Sequence, residues 1–266
     1  MLLISCCFFC LSKAIDCGGK NISQTIIVGH RAADFKTIQE AIDSVDTDND
    51  KWVKIHIQAG LYVEMVTIPI EKACIILEGE GSEKTYMSYG DHGSINYNAT
   101  FTSFASYVIA TGITFKGEVD FIYGAAQSFY ENCWINALGR YPNLPGFVTA
   151  QGRDSADDPG GFVFEGGSIT GNGKVNLGRA WRPYSRVIFH KTYFSSIITP
   201  QGWDAWNAAG NESRTTYAEV DCKGPGADTS KRVPWMKSLN ASELDHFSFA
   251  SFINKDGWID NLPSIS

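Results

Sequence analysis

The segment Gly117-Glu118-Val119-Asp120-Phe121-Ile122-Tyr123-Gly124 sets one carboxylate inside an apolar run closed by glycines. Read as a strand, its period of two puts Val119, Phe121 and Tyr123 on one face and Asp120 with Ile122 on the other. An ionised group held in such a run needs a partner, because taking a lone charge out of water is costly. A candidate lies downstream in Leu177-Gly178-Arg179-Ala180-Trp181-Arg182-Pro183-Tyr184-Ser185-Arg186. There the same alternation places Arg179 and Trp181 side by side, roughly 7 Å apart along a strand. Carboxylate, guanidinium and indole can then share one wall.

Around this pair, short β-rich runs recur at residues 53–57, 74–77, 107–109, 128–130, 162–164 and 186–189, separated by turns rich in glycine, asparagine or proline. Spacings of roughly 20 to 30 residues predict one coil of a solenoid per period. One early helix is expected over about 35–45, where Phe35, Ile38, Ala41, Ile42 and Val45 follow helical spacing and Asp34 is a natural N-cap. It would cover the open end of a coil stack. Periodicity alone describes a β-sandwich equally well.

The Asp120 and Arg179 segments resemble the nucleophile motif and the Arg-x-Trp motif of the plant pectin methylesterases. Gly60-Leu61-Tyr62-Val63-Glu64, Pro200-Gln201-Gly202-Trp203-Asp204-Ala205-Trp206, Gly224-Pro225-Gly226-Ala227 and Arg232-Val233-Pro234-Trp235 resemble further motifs of that family in the expected order. The resemblance implies an all-β fold, a single-stranded right-handed parallel β-helix with a short N-terminal capping helix, formed as one domain by residues 15–266. It implies a pectinesterase, which hydrolyses the methyl esters of galacturonate units in cell-wall homogalacturonan to pectate and methanol without cofactor or metal. By the same resemblance Asp120 is the nucleophile and Arg179 orients it. Trp181, Tyr123 and Trp203 then bind substrate, with Trp206 as a further neighbour.

One stretch departs from the family. Thr111-Gly112-Ile113-Thr114-Phe115-Lys116 should lead into a Gln-Ala-Val segment and a Gln-Asp-Thr-Leu segment before the nucleophile motif, yet Lys116 runs straight into Gly117. The oxyanion-binding glutamines and the general-acid aspartate have no counterpart. Losing a general acid typically costs 10²- to 10⁴-fold in rate, and losing one oxyanion donor roughly 10²- to 10³-fold. Glu118 and Asp154 are the nearest substitutes for the acid. Ile95 stands where the family carries a substrate-contacting threonine. A solenoid tolerates loss of whole coils, because each coil touches only its neighbours. A deletion out of phase would instead bare an apolar edge. The alternative function is therefore an inactive pectin-binding remnant or a mis-spliced product. A third class, a polygalacturonase or calcium-dependent lyase, would rest on Asp157-Asp158, which reads as a solvated turn.

The 266 residues can bury a sizeable core, and a net charge of −7 opposes a nucleic-acid partner, which demands a basic patch. Methyl-esterified pectin is largely neutral, so the acidity is compatible with it as substrate. A monomer is expected. The apolar run at 2–11 is too short to span a membrane and fits a secretory signal, with cleavage after Ala14. Secretion to the extracellular cell wall is then expected. Cleavage leaves Cys17, Cys74, Cys133 and Cys222, an even set of undetermined pairing suited to an oxidising compartment. Sequons at Asn21, Asn98, Asn211 and Asn240 agree with secretion.

Overall fold

A computed structural model of the chain describes residue 17 and residues 21–90, 99–139 and 144–253. The expected signal segment and Ile95 lie outside the described residues. The chain passes in rotation through three parallel sheets. The eight-stranded sheet runs Gln24–Val28, Val53–Ile57, Ile75–Gly79, Val108–Thr111, Gln127–Glu131, Gly161–Glu165, Arg186–His190 and Thr216–Val220. A six-stranded sheet, here the cleft sheet, runs Val66–Ile68, Phe101–Ser103, Val119–Gly124, Gly146–Gln151, Val175–Ala180 and Trp203–Asp204. The third runs Gly60–Val63, Thr85–Ser88, Thr114–Gly117, Trp134–Ala137, Ser168–Gly171 and Tyr193–Phe194. Three strands per turn make the parallel β-helix expected from the sequence. One turn takes from 20 residues, between the paired positions Val108 and Ser128, to 35, between Val66 and Phe101.

Inside the coil, like residues stack along the axis. Tyr130, Phe164 and Phe189 occupy successive rungs, with ring centroids 4.4 and 4.5 Å apart and planes nearly parallel. The row ends on Glu219, whose carboxylate accepts from Arg232 Nε at 2.7 Å and from Trp203 Nε1 at 3.0 Å. The outer face of the eight-stranded sheet is buried as well, because Ile76, Ile109, Phe129, Val163 and Ile188 pack under Trp52 and the C-terminal residues Phe249 and Phe252. Burial on both faces explains why these strands read as continuous apolar runs rather than clean alternations.

The helix spans Ile38–Asp43, three residues later than its apolar spacing suggested at the N-terminal side. Thr37, not Asp34, is the N-cap: its hydroxyl accepts from Glu40 N while the Glu40 carboxylate accepts from Thr37 N. Asp34 instead accepts from the Ile27 amide at 2.8 Å and closes the preceding turn. Ile38, Ala41 and Ile42 face the end of the stack and are fully buried. Thr37→Ala should cost about 1 kcal/mol. A lowered urea midpoint at unchanged m-value would register it.

The Lys116–Gly117 join is in phase. The strand Thr114–Gly117 pairs with the third-sheet strands on both sides, and Val119–Gly124 does the same in the cleft sheet. In the cleft sheet the pairing on both sides covers Ile122–Gly124.

Cys17 and Cys74 form a disulfide with Cα atoms 5.6 Å apart. Cys133 and Cys222 are free thiols. Each lies two residues past aligned rungs, Glu131 and Val220, that are three turns apart, about 14 Å at sheet spacing, beyond disulfide reach. Burial pushes both thiols up to about 12, so they stay protonated.

Candidate active site

Register along the cleft sheet sorts its residues into two rows. Val66, Phe101, Ile122, Gly178 and Trp203 are aligned, and the four side chains among them point into the coil. The next residue on each strand points out, which aligns Thr67, Thr102, Tyr123, Ala150, Arg179 and Asp204. Trp203 is thereby corrected as a substrate-binding residue. It is 2% exposed, stacks on Tyr217 at 4.6 Å and gives its indole hydrogen to Glu219. Trp206, three residues on, takes the wall position.

Alternation also fails at Asp120, for a local reason. Asp120 has φ of +50°, and the register against Gly146–Gln151 shifts between Val119 and Ile122. This is a β-bulge, and Asp is among the few side chains that tolerate the left-handed region. After it, Phe121 and Ile122 both enter the core, whereas the period of two would have separated them. Asp120 and Tyr123, expected on opposite faces, line one cleft.

That cleft measures about 580 Å³, and its walls include Met65, Thr102, Phe104, Trp181, Trp206 and Asn207. Asp120, 6% exposed, receives hydrogen bonds from Arg179 Nε at 2.9 Å to Oδ1 and 3.0 Å to Oδ2, with a second donor from the terminal nitrogen. Arg179 is itself held against the rings of Trp206, at 3.8 Å, and Phe147, at 4.5 Å. Such a fork fixes both the position and the aim of the carboxylate. Trp181 packs on Tyr123 at 4.5 Å and edge-on to Phe104. It lies flat over Gly152, where an added Cβ would come within 2.0 Å of the indole. Any side chain at 152 would displace the wall.

Burial pushes the Asp120 carboxyl up, Arg179 pulls it down through hydrogen bonds and charge, and Asp204 pushes it up again; it ends above the ordinary aspartate value. An attacking carboxylate must be ionised. A nucleophilic role for Asp120 therefore predicts that activity falls as the pH drops through a pKa higher than the usual value near 4. Asp204→Asn removes one raising charge and should move the acid limb of kcat/KM to lower pH. A limb that stays put would remove Asp204 from the site's electrostatics.

Glu118 and Asp154 are not among the residues lining the cleft; Asp154 sits exposed in the loop after Gln151. Among the described lining residues there is no second carboxylic acid and no glutamine. Phe104, Met65, Thr67, Thr102, Phe147 and Asn207 were not found from sequence. The signal for the two threonines was the outward register with Tyr123, which needs the strand pairing to be known.

A parallel β-helix carrying a guanidinium-clamped carboxylate under an aromatic wall, on the outer face of one sheet, defines a class of polysaccharide-acting hydrolases. Within it the chain belongs to the pectinesterase family, whose model matches residues 24–117 and 112–256. The two pieces meet at the Lys116–Gly117 join. The chain is 41% identical over 306 residues to the Arabidopsis thaliana pectinesterase numbered 10, covering 93% of this chain and 90% of that protein. It is 36% identical to the one numbered 55, covering 98% and 96%. In fold it is similar to the pectin methylesterase from carrot, with a TM-score of 0.63 at 24% identity over 91% of this chain and 97% of that one.

Proposed function

We propose that this chain hydrolyses the methyl esters of pectic galacturonate, with Asp120 as nucleophile, Arg179 as its orienting cation, and Trp181, Trp206 and Tyr123 as the sugar-contacting wall. The observation that carries this reading is the Asp120–Arg179 pair on the floor of the cleft. A carboxylate so held attacks the ester carbonyl, and water then cleaves the resulting anhydride. The aromatic faces suit the apolar side of a sugar ring, and among the described residues the cations against the wall are Arg179 and Arg182, the first already committed to Asp120, which fits an esterified, neutral chain. Turnover is slow, because the described lining of the cleft carries neither the aspartate nor the glutamines that the family supplies from the missing stretch.

The site of action is the extracellular cell wall, and the chain works as a monomer. Exposed Asn21, Asn211 and Asn240 and the Cys17–Cys74 disulfide support passage through an oxidising secretory route. No helix among the described residues is long and apolar enough to cross a membrane. The test of the activity is methanol release from highly esterified homogalacturonan, compared between the wild-type chain and Asp120→Asn. Equal release at background would leave the groove as a pectin-binding surface only.

A further inference from the structure

A methyl ester sets a demand that the described cleft meets in one place. Methoxide is a strong base, and expelling it from a tetrahedral intermediate needs a proton delivered in the same step. The hydroxyls of Thr67 and Thr102 are about as weakly acidic as methanol itself and gain nothing as donors. The Asn207 amide already donates to Trp181 O at 3.1 Å. Tyr123 remains. Its ring is held between Trp181, at 4.5 Å, and Phe104, edge-on at 6.1 Å, and its hydroxyl has no hydrogen-bond partner among the described residues. It lines the cleft beside Asp120, one rung from Thr102.

We propose that Tyr123 is the general acid for the departing alkoxide in this shortened chain, a role that rests on Asp120 being the nucleophile. An Asp120 oxygen forms a bond to the ester carbon and the carbonyl π pair moves to oxygen. As that pair returns, the C–OCH₃ bond breaks and the methoxide oxygen takes the Tyr123 phenolic proton, leaving methanol, an Asp120 acyl anhydride and tyrosinate. Water then attacks the anhydride, one of its protons going to the tyrosinate and the other staying on the new galacturonic acid as the bond to the Asp120 oxygen breaks. This restores the Asp120 carboxylate and Tyr123, and the released acid ionises to its carboxylate by giving that second proton to solvent. One water is consumed for each methanol and acid formed.

The electrostatics of the cleft favour this order. In the resting site the phenol is pushed up to about 12, first by burial and next by the Asp120 charge, while Arg182 draws it down. Acylation converts Asp120 from an anion into a neutral ester-like group, so one of the raising charges disappears as the proton is needed. Arg182, which packs over the Trp181 ring at 5.1 Å, remains to stabilise tyrosinate.

The experiment compares alcohol release from two esters of the same homogalacturonan, methyl and 2,2,2-trifluoroethyl, by wild type, Tyr123→Phe and Asp120→Asn. Trifluoroethoxide is a much weaker base than methoxide and needs far less protonation as it leaves, so the methyl ester depends on the acid much more heavily. The expected result is methanol release about 10²- to 10⁴-fold slower in Tyr123→Phe. Trifluoroethanol release should fall by less than about tenfold, and Asp120→Asn should abolish both. Tyr123→Phe that matches wild type on the methyl ester, or that slows both esters equally, overturns the acid role while Asp120-dependent release leaves the nucleophile standing. Wild type at background with both esters overturns the nucleophile and this proposal together. The thermal midpoint of Tyr123→Phe, expected within a few degrees of wild type, separates a folding defect from a chemical one.

Discussion

Asp120→Asn is expected to bring methanol release to the uncatalysed background. The substitution keeps the shape of the side chain, so the bulge at 120 and the packing of Phe121 and Ile122 behind it are preserved. An amide does not attack an ester at a useful rate, and removing a covalent nucleophile costs on the order of 10⁴- to 10⁶-fold. In a cleft whose described lining holds no second carboxylic acid, that loss exceeds any turnover left to measure. The Asn oxygen still accepts from Arg179 Nε, so the fold should persist with a cost of about 2 kcal/mol for a guanidinium facing a neutral partner. Release at the wild-type rate would show that Asp120 is a structural counter-ion.

Arg179→Met should have the largest effect on stability. The pair is mostly buried, with side-chain exposures of 15% for Arg179 and 8% for Asp120, and breaking such a pair by removing one member costs about 3 kcal/mol. Methionine fills the space between Phe147 and Trp206 but leaves the carboxylate without its counter-charge. The Asp120 pKa, already raised, then rises further, since both influences that lower it come from Arg179. An acid whose folded pKa exceeds its unfolded one binds more protons when folded. Its penalty is absent below the unfolded pKa and grows as the pH rises through the folded one. The variant should therefore be most destabilised at neutral pH and recover part of the loss on acidification, opposite to the loss of an ordinary paired carboxylate. Urea midpoints at two pH values measure this. A deficit independent of pH would mean that Arg179 acts through packing on the two rings rather than through charge.

Several features of the site were legible because they depend on residue type and long-range order of motifs. Asp120 and Arg179 meet as expected, 59 positions apart in the chain, and Trp181 joins them at the same cleft. The errors share one origin. Alternation is a local rule, and it held in the strands without bulges and failed where one φ turned positive at Asp120. Motif likeness assigned both Trp203 and Trp206 to the substrate, since both lie in one Gly-Trp-Asp-Ala-Trp run, and the pairing of Trp203 with Gly178 reveals which of them enters the coil. The helix boundary moved because Thr37 and Glu40 form a reciprocal cap, which outweighs an apolar spacing that begins earlier.

From residue order alone came the coil period, the parallel β-helix implied by family likeness, the acid–base pair, and the missing stretch between Lys116 and Gly117. These follow from composition, periodicity and motifs, which survive without knowledge of what lies beside what. The tertiary structure alone decided that the join is in phase, that Cys17 pairs with Cys74, that Trp206 rather than Trp203 walls the cleft, and that Tyr123 stands beside Asp120. The join and the choice of Trp206 depend on register between strands 20 to 35 residues apart, set by stacking of whole coils; the disulfide joins residues 57 apart, and Tyr123 stands beside Asp120 through the bulge at 120.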